Sequence, residues 1–234
     1  MRPPAPGGRI AVVIPALNEA ASIGAVVGGV AAALRAHVIV VDNGSHDGTA
    51  EAARGAGATV VTAARRGYGH ACRAGVDAAQ GCEVLVFLDG DGSMAPEDIP
   101  ILVEPILDGD ADVVCGVRRL DNSTMPAHQR LGNRVIGLLL RRHGVRLPEL
   151  CPFRAVRAST LREIDLPGSR FAWAAQMLAR AAGRGARITS VPVDYHERSA
   201  GQSKVGGSLR GSLAASWDIA RVLLAEPVAQ RPPR

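Results

Sequence analysis

Val84-Leu85-Val86-Phe87-Leu88-Asp89-Gly90-Asp91-Gly92-Ser93 is the stretch from which the rest of this 234-residue chain can be read. Its uninterrupted apolar run predicts a strand buried on both faces of a parallel sheet. The run stops at two aspartates one residue apart, followed by Gly and Ser. In an open α/β sheet, the carboxyl end of such a strand opens on the crevice where ligands bind. Two carboxylates meeting there need opposing charge, which a hard divalent cation on a phosphorylated ligand would supply. The plainer alternative is a turn carrying two solvated acids.

Short β-branched runs and Ala-rich helical stretches alternate on both sides of this segment. Strands are expected at Ile10–Ile14, Val38–Val41, Thr59–Val61, Val84–Leu88 and Asp112–Gly116. Helices are expected at Ala20–Arg35, Thr49–Gly55, Gly69–Ala79 and Pro96–Asp108. This βαβα order predicts an α/β fold, a doubly wound and mostly parallel sheet flanked by helices. After Gly116 the rhythm breaks into a basic helix (Ala127–His143), a loop, a helix around Phe171–Gly183, a strand (Arg187–Tyr195) and a last helix from Ser208 to Leu224. No repeat or linker divides the chain. A single domain is expected over residues 9–224, with residues 1–8 and 225–234 as flexible ends.

An apolar content of 47% in a chain of this length is enough for a core without staples. The four cysteines (Cys72, Cys82, Cys115, Cys151) form no CxxC pair, which argues against a zinc site or disulfide framework and for a reduced, cytoplasmic setting. A net charge of +5 suits phosphate-bearing partners or an anionic membrane surface. Aromatic residues make up only 3%, so no stacking platform for nucleic acid is read and none is expected as a partner. The longest uncharged stretch, Ala20–Leu34, is too short and Gly-rich for a bilayer span of about 20 residues. No secretory signal is read at the start. A soluble protein, or one peripheral to the inner face of the membrane, is expected.

Three further segments carry chemistry. In Ile14-Pro15-Ala16-Leu17-Asn18-Glu19, Pro15 is expected to end a central strand, placing Asn18 and Glu19 at the crevice and the next helix start. In Val40-Val41-Asp42-Asn43-Gly44-Ser45-His46-Asp47-Gly48-Thr49, a buried strand ends on Asp42. That acid could accept from a nucleobase N–H, bind a ribose, or merely close an Asx turn, with Asp47 near the helix N-cap. In Ala64-Arg65-Arg66-Gly67-Tyr68-Gly69-His70-Ala71, Gly67 and Gly69 allow close backbone approach and the helix start favours an anion. Neither GxGxxG nor GxxxxGK[ST] occurs, so dinucleotide and P-loop chemistry are not supported.

Taken in order, the Pro-x-x-Asn-Glu turn, the Asp-x-Gly-Ser-x-Asp-Gly-Thr turn, the Arg-Gly-Tyr-Gly helix start and the Asp-x-Asp turn resemble the nucleotide-sugar-dependent glycosyltransferases of family 2. Within that family the chain is most similar to the dolichyl- and polyprenyl-phosphate sugar synthases. Cys151-Pro152-Phe153-Arg154-Ala155, Val191-Pro192-Val193-Asp194-Tyr195, and Arg198 with Gly201-Gln202-Ser203-Lys204 extend the likeness over residues 9 to 224. The resemblance implies a GT-A fold, a nucleotide diphosphate sugar donor, Mg²⁺ or Mn²⁺, and inverting transfer of a hexose to a polyprenyl-phosphate-like acceptor. It implies that Asp89 and Asp91 form the metal site, that Asp42 contacts the base, and that Pro15, Asn18 and Glu19 lie near the nucleoside. Gly67 and Gly69 would shape the crevice wall, and Arg198 and Lys204 would clamp phosphates; two solvated surface cations are the plainer reading of that last pair. A late histidine such as His196 is an extra metal ligand in some enzymes of this fold, but this branch does not require one.

One departure bears on catalysis. Where relatives commonly carry Phe-x-x-x-x-Glu-Met, this chain has Phe171 through Gln176-Met177, and an amide cannot accept a proton as a general base. Glu149 stands before the Pro-Phe-Arg segment and could act as base, as a positioning group, or as structure only. Asp91, Glu149 and Gln176 are therefore the catalytic candidates. A phosphate acceptor, ionised near neutrality with a second pKa of about 6, would need no base, whereas an alcohol usually would. A glycosyltransferase using a small hydroxylated acceptor, and a silent nucleotide-binding protein, remain alternatives.

Two amphipathic helices complete the reading. Ala127–His143 carries Arg130, Arg134 and Arg141 opposite Leu131, Val135, Leu138 and Leu139. The last helix aligns Leu209, Leu213, Trp217, Ala220 and Leu224. These apolar faces either pack on the sheet or lie on an anionic bilayer beside a lipid phosphate.

Overall fold

The structure, a computed structural model, describes residues 9–119, 127–150, 152–164, 166–167, 171–196 and 209–228. The first half alternates regularly: β1 (Ile10–Ala16), α1 (Ile23–Ala33), β2 (His37–Asp42), α2 (Thr49–Gly55), β3 (Thr59–Thr62), α3 (Tyr68–Ala78) and β4 (Val84–Phe87). A 3-10 turn at Pro96–Asp98 leads into α4 (Ile99–Leu107), β5 (Val113–Arg118) and α5 (Ala127–Arg142). The chain then forms β6 (Arg154–Arg157), α6 (Ala158–Ile164), α7 (Trp173–Gly183), β7 (Ile188–Val193) and α8 (Leu209–Ala225). The strands form one sheet in the order β3-β2-β1-β4-β6-β5-β7. Every pairing is parallel except those of β6, which runs antiparallel to both β4 and β5.

Both sheet faces are covered, which explains the uninterrupted apolar runs. Val12, Ile14, Val38, Val40, Val84 and Val86 point to one layer with α1, α2 and α4. Ala11, Val13, Ile39, Val41, Leu85 and Phe87 point to the other, with α3 and α5 to α8. Alternate residues thus enter opposite cores, and neither face can be polar. Helix α3 comes unusually close to β1 at Gly75, where an added Cβ would fall 2.2 Å from Val13 Cγ1.

Four expectations are corrected. Strand β1 does not end at Pro15 but runs through it, Pro15 pairing with Val41 and Ala16 with Asp42. The reason lies in the register. Val13 O accepts from Leu88 N on the β4 side, and Ala16 O accepts from Asn43 N on the β2 side. By alternation the Pro15 nitrogen faces β4, beyond the last pair Val13–Phe87, where no carbonyl awaits a donor. The segment expected as a loop at Phe153–Ala155 instead enters β6, in the middle of the sheet. Its Arg-Ala-Val-Arg sequence hides the strand, because Arg154 is wholly buried and Arg157 is tied to Asp112 at the strand's far end. Helix α1 starts three residues late, at Ile23, after a turn in which Ser22 N and Ile23 N both donate to Glu19 O. At the other end, order passes residue 224: α8 reaches Ala225, and Glu226 is buried.

Candidate active site

All parallel strands open at one end of the sheet, and antiparallel β6 enters from that end. The tips of β1, β2, β4 and β5 and the approach to β6 therefore gather one set of polar groups. The turn after β4 is the centre. Asp91 is 3% exposed and its Oδ1 accepts from Ser93 N at 2.9 Å. Gly92 takes a positive φ of 75°, which a residue with a Cβ would adopt only with strain. Ser22 Oγ donates to Gly90 O at 2.8 Å, fixing this turn to the start of α1. On the other side, Met94 bridges Tyr195 and His196 N donates to Ser93 O at 2.9 Å. The end of β7 thus lies along the same turn.

The β1 and β2 tips are stapled together. Asn18 sits at φ +52°, donates from its N–H to Ser45 Oγ at 3.0 Å, and accepts from His46 N at 2.9 Å. Glu19 N donates to Thr49 Oγ1 at 2.9 Å and Ala20 N to Asp47 Oδ2 at 3.1 Å. Burial pushes the Asp47 carboxyl up, but the bonds from Thr49 and Ala20 prevail and hold it below the usual carboxylate range. Asp42 closes an Asx turn by accepting from Ser45 N at 3.0 Å through Oδ1. Gly67, at φ +142°, donates its N–H to Asn43 Oδ1 at 3.0 Å, while Arg66 donates to Gly44 O at 2.8 Å. Gly69 is buried in the first turn of α3.

At the tip of β5, the Arg118 guanidinium and backbone N–H both bind Glu149, Nε reaching its two carboxylate oxygens at 3.0 and 2.9 Å. The same guanidinium lies 4.9 Å over the Tyr195 ring. Beneath the β4 tip, Arg154 faces the rings of Phe87 and Trp173 at 5.1 and 5.4 Å and donates to Tyr68 Oη at 3.2 Å. Burial raises the Tyr68 hydroxyl well above the ordinary phenol value, against the charge of Arg154, and the Asp89 charge raises it further. Asp89 therefore lies within electrostatic reach of this buried pair. Burial also pushes the Cys72 and Cys115 thiols to about 12, so neither is a nucleophile at neutral pH.

Pro15, Asn18, Glu19, Asp42, Gly67, Gly69, Asp89, Asp91 and Glu149 thus belong to one end of the sheet. Gln176 does not join them. Its amide donates to Glu226 at 2.5 Å, in a buried cluster that Arg180 completes at 2.9 Å. Arg198 and Lys204 lie outside the described residues. Arg118, Tyr195, Arg154 and Tyr68 were not named as site residues from sequence. Tyr68, Arg154 and Tyr195 stood within the quoted motifs, and Arg118 carried a signal of its own, a charge at the end of an apolar strand like the one that marked Asp89.

The donor set suits a hard cation held jointly with a ligand. Among the described residues no cluster of three or more His, Cys, Asp or Glu could hold a metal alone. Two adjacent carboxylates leave most of an octahedral shell to phosphate oxygens and water, the usual arrangement for Mg²⁺ with phosphorylated substrates.

Residues 11–158 match the family model described as glycosyl transferase family 2. An uncharacterized glycosyltransferase of Mycobacterium tuberculosis is 40% identical over 93% of this chain and 99% of its own length. The undecaprenyl-phosphate mannosyltransferase of Micrococcus luteus is 34% identical over 92% of this chain and 99% of its own. Among solved structures, glucosyl-3-phosphoglycerate synthase of M. tuberculosis, in complex with Mn²⁺, UDP and glucosyl-3-phosphoglycerate, superposes with a TM-score of 0.77 at 25% identity, covering 94% of this chain and 80% of that one.

Proposed function

The chain belongs to glycosyl transferase family 2 and is a glycosyltransferase, and from that premise we propose that it moves a hexose from a nucleotide diphosphate sugar to the phosphate of a polyprenyl phosphate. The observation that carries this reading is that the one candidate base, Glu149, is engaged elsewhere, and that the position where relatives commonly carry Glu holds an amide, also engaged. Glu149 is bound by the guanidinium and N–H of Arg118, and Gln176 by Glu226. An alcohol acceptor gains roughly 10²–10⁴ from a base. A phosphate monoester is ionised at neutral pH and attacks without one.

In the proposed transfer, a phosphate oxygen of the acceptor forms a bond to the anomeric carbon as the bond from that carbon to the donor diphosphate breaks. The electron pair leaves with the nucleoside diphosphate, and the configuration inverts. Asp42 accepts from the base, and Asn18 and Glu19 line the nucleoside side. Asp89 and Asp91 hold Mg²⁺ or Mn²⁺, which when bound supplies Lewis-acid stabilisation of the departing diphosphate. Arg198 and Lys204 add cationic contacts to the phosphates, and Arg118, immobilised by Glu149, adds fixed positive charge on the opposite side of the crevice. Such prepositioned charge is worth more than mobile charge, because it needs no reorganisation during the reaction.

A second reading rests on the solved neighbour, whose complex holds glucosyl-3-phosphoglycerate: a small soluble acceptor that offers a hydroxyl beside its phosphate, and whose hydroxyl would call for a base. The test is release of GDP or UDP from a panel of GDP- and UDP-hexoses, with a short-chain prenyl phosphate, the matching prenol, or 3-phosphoglycerate as acceptor. Metal-dependent transfer to the prenyl phosphate, abolished by a chelator and absent with the prenol, is expected. Transfer to 3-phosphoglycerate alone would replace the first reading by the second.

A further inference from the structure

Helices α5 and α8 pack against each other, with Gly132 against Ser216; a Cβ added at Gly132 would lie 3.0 Å from Ser216 Oγ. Each buries one face. Ile136 and Leu140 of α5, and Ala215, Ile219 and Leu223 of α8, enter the core, and His143 is locked to Leu223 O at 2.9 Å. The opposite faces should then be polar, as on an ordinary surface helix. They are not. Leu138 is 58% exposed and Val135 44%; on α8, Trp217 is 74% exposed and Leu224 56%. Trp217 and Leu224 are seven residues apart, two helical turns, so they form one outward stripe.

The charges beside this stripe identify its occupant. Arg134, Arg141 and Arg142 are exposed on α5, and Arg221 projects between Trp217 and Leu224 on α8. Helix α5 contains no acid, and the single acid of α8, Asp218, is already paired with Arg221. Two such faces meeting in a homodimer would bring like charges together around the apolar stripe. A surface that is apolar at the centre and anionic at its edge complements it. Arginine stems can lie along the apolar stripe with their heads at phosphate level, and an indole suits the boundary between headgroup and acyl chain.

We propose that the outward faces of α5 and α8 form a ridge that docks on an anionic lipid bilayer. This deepens the polyprenyl-phosphate reading and rests on it for its purpose. Helix α5 follows the Arg118 tip of β5, and α8 follows the segment that carries Arg198 and Lys204. On this proposal, a lipid whose phosphate reacts in the crevice keeps its tail in the bilayer on which the ridge rests.

The test uses the full chain. Wild-type protein is expected to float with vesicles of phosphatidylcholine containing about a third phosphatidylglycerol at low salt, and not with phosphatidylcholine alone. Trp217→Ser/Leu224→Ser, both at exposed positions, should reduce flotation by about tenfold or more. The same variant should lose transfer to a long-chain polyprenyl phosphate embedded in those vesicles, yet keep within about twofold the transfer to a water-soluble short-chain prenyl phosphate. Absence of wild-type flotation, unchanged flotation of the variant, or a dimer in solution that the variant dissociates would each overturn the ridge. Failure of the wild type with the short-chain acceptor would instead sink the acceptor reading, whatever the flotation shows.

Discussion

The turns that rim the crevice and the outward faces of α5 and α8 are both surface, but they are built by opposite rules. At the rim, polar side chains are held mainly by groups from other segments: Asn18 by Ser45 and His46, Asp47 by Ala20 as well as by nearby Thr49, Glu149 by Arg118. On the ridge, large apolar side chains project into solvent with arginines alongside. Under the proposed function, a rim held this way suits a small charged ligand whose atoms must be placed to a fraction of an ångström. The ridge suits a partner that is fluid, extended and recognised by polarity alone. Helices α1 and α4 supply the internal control: Ile23, Val26, Val27, Ile99, Leu102 and Ile106 are buried, Ile101 and Leu107 are half-buried, and none of their large apolar side chains is exposed. A shortage of core to cover apolar residues is therefore not the reason for the ridge.

The strongest challenge to this contrast is Asp91→Asn. It should lower transfer by roughly 10³-fold, equally for soluble and embedded acceptors, with little change in thermal stability. A loss confined to embedded acceptor would erase the distinction between rim and ridge. On α8 itself, Ile219→Ala should cost about 3 kcal/mol in denaturant unfolding. Trp217→Ser, two residues away, should stay within about 0.5 kcal/mol of wild type. Similar costs for the two would mean that Trp217 is part of the packed core.

A third polar site, at the opposite end of the sheet, sharpens the contrast because there the charge serves stability. The side-chain bond from Arg187 leads the groups that outweigh burial, Arg157 among them, and hold the Asp112 carboxyl at about 2, below its ordinary 3.8. A carboxylate with a depressed native pKa stabilises the fold above its unfolded pKa and loses that effect as pH falls through the native value. The difference in stability between wild type and Asp112→Asn should thus be about 2 kcal/mol at pH 7 and shrink between about pH 4 and pH 2. A difference independent of pH would remove the ion pairs as its cause. Smaller still, Glu149→Gln should reduce transfer by about tenfold, through a less firmly held Arg118, without adding a new inflection to the pH profile. A fall of roughly 10²–10⁴ with the loss of one limb of that profile would make Glu149 the base and contradict the phosphate-acceptor mechanism.

The parallel half of the fold was legible because β1, β2 and β4 are buried on both faces and its helices close with recognisable turns. The acidic tip of β4, the Asp42 turn and the glycines at the start of α3 all follow from that regularity. What stayed hidden had compensation in distant residues. Arg154 reads as a polar breaker until Phe87, Trp173 and Tyr68 are seen around it, and Gln176 reads as a site residue until Glu226, fifty positions later, takes its amide. The amphipathic patterns of α5 and α8 were visible, but which face pointed inward was not.

By itself, then, the amino-acid order determined the class of fold and the end of the sheet at which the polar turn residues gather, because these depend on local periodicity and on charges at strand ends. Tertiary structure alone decided that Pro15 could stay within a central strand, that a strand holding two arginines could fill the middle of the sheet, and that Trp217 and Leu224 face outward while Ile219 and Leu223 face the core. Those outcomes depend on which neighbour each backbone or side-chain group meets across the sheet, and periodicity along one segment carries no record of its neighbours.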